Sequence, residues 1–191
     1  MSEAQAAGES RSHSASQAVL WIVASLLGGI ALWLWWWSAR KIDIDSIARI
    51  VRKRFPKVRQ ISVPTLAEWL ASDERRPLLL DVRKFEEYAV SHLPGARWID
   101  PKSRDRDIDL GIPKDAPIVA YCAVGYRSSG FAQRLEKLGY SDVQNLEGSI
   151  FKWANEGRPL ACGEAPADTV HPYSNYWKRL VKPERRAALP G

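Results

Sequence analysis

Two short runs set the frame for this chain, Leu78–Val82 (LLLDV) and Ile118–Tyr121 (IVAY). Each is nearly all apolar and too short for a buried helix, the pattern of a strand covered on both faces in a parallel sheet. Val143–Leu146 is a weaker third run, and Gln60–Val63 and Arg97–Ile99 read as edge strands. Helical patterns fill the gaps at Thr65–Ala71, Phe85–Val90, Ser128–Leu138 and Ile150–Glu156. Thr65 and Glu68 have the spacing of a capping box, and Gly139 stands where a helix-ending glycine belongs. This alternation predicts one α/β domain, a mostly parallel sheet flanked by helices, over about residues 60–160.

A sheet of that kind binds ligands beyond the carboxyl ends of its strands, where loops meet helix N-termini. The run ending at Tyr121 is followed at once by CAVGYRSS, Cys122 to Ser129. A loop curling there turns backbone N–H groups inward and adds the positive end of a helix dipole, with Gly125 supplying the backbone freedom for the curve. A thiol at the centre of such a cradle has a lowered pKa and sits as thiolate, the nucleophilic form. Cys122 is therefore the candidate catalytic residue, against the plainer alternative of a small buried side chain at a strand end. The three histidines, His13, His92 and His171, are all distant from it in sequence.

LLLDVRKFEEYAVSHLPGA, IVAYCAVGYRSSGFAQRLEKLGY and VQNLEGSIFKW together resemble the rhodanese family of sulfurtransferases. The resemblance covers about residues 60–160, roughly half the chain. It implies a single rhodanese-like domain and an enzyme that works through a cysteine persulfide, with no metal and no other cofactor. The thiolate takes a sulfane sulfur from a donor such as thiosulfate and passes it to a thiophilic acceptor. Cys122 matches the family's nucleophile, and Ala123, Val124, Gly125, Tyr126, Arg127 and Ser128 match the loop that holds the persulfide. Asp81 and Arg83 match the Asp-Val-Arg block, and His92 matches the histidine of the block present here as SHLPGA. These three are expected to brace the loop from behind, Arg83 pairing with Glu86 or Glu87.

Loop length separates sulfur from phosphorus. Protein tyrosine phosphatases, and the cell-cycle dual-specificity phosphatases that resemble rhodanese in fold, use Cys-x5-Arg, a ring wide enough for a phosphoryl group. Here Cys122 to Arg127 is Cys-x4-Arg, one residue tighter, which favours a single sulfur atom. Two departures bear on the substrate: Ala123 stands where thiosulfate-using members often have a basic residue, and the Gly-Ser-Gly-Val-Thr loop of mercaptopyruvate-using members is absent. Arg127 either meets an anionic donor or ties the loop to an acidic neighbour. Tyr126 and Trp153 fit either the mouth of the site or the packing around it. Cys162 fits a sulfur relay less well than a bystander thiol. The alternatives to an active sulfurtransferase are a low-turnover rhodanese-type binding module and, more distantly, a cysteine-dependent phosphatase.

The flanks differ in character. Ala18 to Trp37 is twenty residues without a charge, enough for a helix of ~30 Å, and Trp33, Trp35, Trp36 and Trp37 crowd its end. The expected organisation is a short N-terminus outside the cell (1–17), a single transmembrane helix (18–37), a basic juxtamembrane segment (38–59), the domain (60–160) and a tail (161–191). Eight basic residues between Ser38 and Arg59, against Arg11 alone before the span, place the domain on the cytoplasmic face of the cell membrane. The bilayer and a membrane-protein partner are the expected contacts besides donor and acceptor. Ile44, Ile47, Ala48, Val51 and Phe55 share one helical face, which suits either the inner leaflet or packing on the domain. The tail reads as a strap or a partly ordered end. Residues 60–160 hold fourteen basic and fifteen acidic side chains, a net of −1, so the positive excess behind the chain's +6 lies outside the domain and nucleic acid is not an expected partner.

Overall fold

The structure, a computed structural model, describes residues 21–34, 42–72 and 76–189. They fall into two units, one up to Lys41 and one from Ile42 to Gly191.

In the first unit, residues 21–34 form a helix, α1, whose side chains are all exposed. Its fourteen described residues account for about 21 Å of the ~30 Å hydrocarbon core. Among the described residues no helix is long and apolar enough to cross a membrane, so the expected span is not supported. That span, Ala18–Trp37, runs past α1 at both ends into residues outside those described.

The second unit is built on five parallel strands. They are β1 (Arg59–Ile61), β2 (Leu78–Asp81), β3 (Arg97–Trp98), β4 (Ile118–Tyr121) and β5 (Val143–Leu146), in the order β1-β5-β4-β2-β3. Strand β4 is central and all four of its residues are buried, as a continuous apolar run requires. The chain runs from β2 outward to β3 on one side and from β4 to β5 on the other. Their carboxyl ends therefore flank a topological switch point, the crevice where such sheets bind ligands.

Helices α2 (Ile44–Arg54), α3 (Val63–Ala71), α4 (Phe85–Val90), α5 (Tyr126–Lys137) and α6 (Ser149–Asn155) accompany the sheet. The α3 cap is Ser62, whose Oγ accepts from the Thr65 amide, so the capping residue lies three positions before the expected Thr65. Pro64 falls in the first turn, where its missing N–H leaves no bond unmade. Helix α5 buries Phe131, Ala132 and Leu135, and the Tyr140 amide reaches back to the Leu135 carbonyl across Gly139.

Both flanks of the domain are packed on it. Ile47, Ala48 and Val51 of α2 are buried, with Phe55 just beyond, so the apolar face of this helix covers protein rather than lipid. Arg52 pairs with Glu147, and Lys152 Nζ lies 2.7 Å from Asp45, pinning α2 over the β5–α6 turn. That turn needs Gly148: at φ 69° an added Cβ would sit 2.9 Å from Ile44 Cγ2 and closer still to Lys152. The tail is a strap. It forms an antiparallel hairpin, β6 (Leu160–Cys162) with β7 (Ala165–Ala167), and then buries Val170, Leu180 and Val181. Asn155 fixes its return, donating to Leu180 O and accepting from the Lys182 amide, each at 2.8 Å.

Candidate active site

Cys122 follows β4 directly and is 1% exposed. The bend after it is shorter than the sequence suggests. Gly125, at φ 102°, is already the cap of α5, so Tyr126, Arg127 and Ser128 belong to the first helical turn and only Ala123 and Val124 lie between nucleophile and cap. The Gly125 amide donates to Cys122 Sγ at 3.2 Å. A side chain at Gly125 would meet Asn145 Nδ2 at 3.1 Å on top of the positive φ, so the position admits little but glycine.

The curve is held from outside. The Cys122 and Ala123 carbonyls accept from the Ile150 and Phe151 amides at 3.2 and 3.1 Å, the opening turn of α6. The Cys122 amide donates to Ser149 Oγ at 3.2 Å, and Ser149 is itself held at φ 50°. Ser128 Oγ donates to Asn145 Oδ1 at 2.5 Å while Asn145 Nδ2 donates to Gln60 Oε1 at 2.7 Å. With its carbonyls bound outward, the bend leaves amide N–H groups for the sulfur.

Two influences on the thiol compete. Burial pushes the Cys122 pKa up, whereas the Arg127 guanidinium, the Ser128 hydroxyl and the amides of Ser128 and Gly125 pull it down. The second set prevails, and the pKa lies below the ordinary 9.0 of a thiol. Arg127 acts at a distance fixed by another group: its Nη1 and Nη2 donate to the two Glu87 oxygens at 2.8 and 2.9 Å. Of the two roles open to Arg127 in the sequence, the structure shows the tie to an acidic neighbour. Burial pushes Glu87 up, but this fork holds its carboxyl below the usual range, and Arg127 is raised in turn.

Asp81, Arg83 and His92 form a second layer behind β4. Arg83 is fully buried and pairs with Asp81 through Nε at 2.9 Å and Nη2 at 2.6 Å, and Nη2 also donates to Ser91 O. The expected partner, Glu86 or Glu87, is therefore wrong: the Asp81 carboxylate sits two residues away at the strand end, and Glu87 is taken by Arg127. Tyr121, the residue before the nucleophile, lies in the same network. Burial and the Asp81 charge push its phenol well up, and its oxygen accepts from the Leu93 amide at 3.0 Å. His92 stacks on Tyr88 with ring centroids 4.2 Å apart, and its backbone pairs with Ala161 of the strap.

Above Cys122 lies a cleft of about 380 Å³. Ala123, Val124 and the nucleophile form its floor, Ile47, Ile50 and Val51 of α2 one wall, and Tyr126, Tyr173 and Trp177 the rest of the rim. Tyr126 meets Phe55 edge-on at 5.2 Å. Trp153, the other aromatic expected near the mouth, is instead core, 2% exposed with Nε1 on Pro159 O. Cys162 is exposed and rests on Ala89 O at 3.3 Å. Among the described residues no cluster of His, Cys, Asp or Glu is placed to hold a metal ion.

The model of the rhodanese-like domain matches residues 62–156. A sulfurtransferase of Allochromatium vinosum is 36% identical over 107 residues, covering 56% of this chain and 98% of that protein. This chain belongs to the rhodanese-like family. A probable adenylyltransferase/sulfurtransferase MoeZ of Mycobacterium tuberculosis is 37% identical over 99 residues, 49% of this chain, but the chain spans only 24% of its length. Among solved structures, a thiosulfate sulfurtransferase of Pseudomonas aeruginosa superposes with a TM-score of 0.50 at 25% identity, covering 71% of this chain and 24% of that one. In this rhodanese-like domain, α2, Tyr173 and Trp177 all lie outside the matched residues, yet they wall the cleft over Cys122.

Proposed function

We propose that this protein is a sulfurtransferase that carries sulfane sulfur as a persulfide on Cys122. The observation that carries the reading is the thiol itself, at the N-terminus of α5 with the Gly125 amide 3.2 Å from Sγ and its pKa lowered. The thiolate attacks the outer sulfur of a donor. With thiosulfate the S–S bond breaks, sulfite leaves with the electron pair, and Cys122 keeps the transferred sulfur. A thiophilic acceptor, an external thiol or cyanide, then attacks that sulfur and restores the thiolate. The inward amides stabilise the anionic terminal sulfur between the two steps. Asp81, Arg83 and His92 act through Tyr121 and the strap, holding the loop in place.

The same proposal places the protein at the cell membrane with the domain facing the cytoplasm. Its support is the run of exposed apolar residues in α1, which water does not favour, and the eight basic residues between Ser38 and Arg59.

The test is the intact mass of the full chain before and after an excess of thiosulfate or of a small persulfide, beside Cys122→Ala. One added sulfur atom, removed by cyanide and absent in the variant, is the expected result. A folded protein that gains no sulfur from thiosulfate or from a small persulfide would overturn the reading in favour of a binding module.

A further inference from the structure

The cleft over Cys122 is neutral and apolar where a site for an inorganic anion would offer free cations. Among the described residues that line it, Arg127 alone carries a positive charge, and both arms of its guanidinium are bound to Glu87. Tyr173 closes the same side, its ring 5.0 Å from Arg127 Cζ. An anion such as thiosulfate entering here would approach a thiolate with no unpaired cation to receive it. A neutral apolar group would instead meet Ile47, Ile50, Val51, Val124, Tyr126 and Trp177.

The strap supplies a second, independent sign that this wall is built for a purpose. Tyr173 sits at φ 67°, a left-handed conformation that a bulky side chain adopts only under strain. Its amide is held in that pose by His171 Nδ1 at 3.0 Å. The strain places an aromatic ring over the mouth. The volume, about 380 Å³, is at the lower end of small-molecule pockets, roughly 300–1,000 Å³.

We propose that the organic partner in sulfur transfer at Cys122 is a small neutral thiol, or its persulfide, with an aromatic or branched apolar body seated between α2 and the strap. This rests on the sulfur-transfer reading and names its substrate class. With the persulfide R–S–SH as donor, Cys122 Sγ attacks the outer sulfur and a new S–S bond forms. The S–S bond joining that sulfur to RS breaks, and RS⁻ leaves and takes up the persulfide proton. No external oxidant or reductant enters. The reverse sequence hands the sulfur to RSH as acceptor.

The first test needs no sulfur chemistry. The full chain in lipid nanodiscs is alkylated with iodoacetamide and with N-benzyliodoacetamide, which share one reacting carbon and leaving group. Cys122 and Cys162 are read separately by peptide mass spectrometry, the exposed Cys162 reporting any general effect of the benzyl group. The expected result is a saturable gain of about tenfold or more at Cys122 relative to Cys162, the factor for burying a few apolar carbons. Ile50→Asp, at a position 60% exposed and thus free of the core, and Trp177→Ala should each abolish most of that gain. An equal benzyl effect at both thiols, or a gain that survives both substitutions, would overturn the proposal. The second test compares benzyl mercaptan with 2-mercaptoethanol, thiols of similar acidity, as acceptors from the loaded enzyme. A ratio near one overturns the substrate class. Selective alkylation without any loading of Cys122 from benzyl persulfide overturns the sulfur-transfer reading and the substrate class with it, while leaving the pocket demonstrated.

Discussion

The floor and the roof of the cleft are made in opposite ways. The floor is polar and over-determined: the bend from Cys122 to Gly125 is bound by α6 amides, by Ser149 and through Asn145 and Ser128, and Arg127 is forked onto Glu87. In the roof, α2 is held by apolar burial and two ion pairs at its edge, Trp177 packs on the core, and Tyr173 is held by its amide on His171. The floor fixes the charge of one sulfur atom. The roof decides what else fits. Chemistry and selectivity can therefore be altered separately, and the family model covers only the first.

The largest effect separating the two regions is expected from Cys122→Ala. Sulfur loading by intact mass should fall to background, whereas urea denaturation should show a change of about 1 kcal/mol or less for so small a truncation. Behind the floor, Asp81→Ala leaves Arg83 a buried, unpaired charge and should cost about 3–5 kcal/mol in the same denaturation. The double variant with Arg83→Met should regain much of that loss. If the single variant is as stable as the parent, the second layer does not brace the loop.

The third test is of pH. The native Cys122 pKa lies below 9.0, so alkylation of Cys122 should reach half its plateau below that pH. Arg127→Met removes the nearby positive charge. It should shift the midpoint upward and lower the rate at neutral pH, because less thiolate is present. Glu87→Gln removes the opposing negative charge and should shift it downward. Midpoints that ignore both changes would show that the amides and Ser128 alone set the thiol. The smallest effect belongs to the roof. Ile47→Val should cost about 0.5–1.5 kcal/mol and leave the alkylation midpoint unmoved. A moved midpoint would mean that roof and floor are not separable.

The central strand was legible because burial on both faces leaves little choice of residue: Ile118–Tyr121 has the bounds read from its apolar run, and Val143–Leu146 those of its weaker pattern. The start of α5 was misplaced because Gly125 and Tyr126 look like loop until the glycine is known to cap the helix. Arg127 and Glu87 are 40 residues apart, and no local pattern joins them. Glu87 stood out only as half of an acidic pair. The amphipathic face of α2 reads the same whether it meets lipid or protein, so packing alone could decide it. The β6–β7 hairpin was missed because its strands are three residues each, one carrying Pro166, which seldom sits inside a sheet. Tyr173 and Trp177 had no periodicity to mark them as cleft residues.

The bonds from α6 to the Cys122 and Ala123 carbonyls have a consequence for how such a site can diverge. A wider ring, of the size a phosphoryl group needs, requires one more residue between Cys122 and Arg127. An added residue between Cys122 and Gly125 has to be accommodated beside the Ile150 and Phe151 amides and the tight space at Asn145. The length of this ring is thus coupled to the seating of α6 as well as to the loop's own residues.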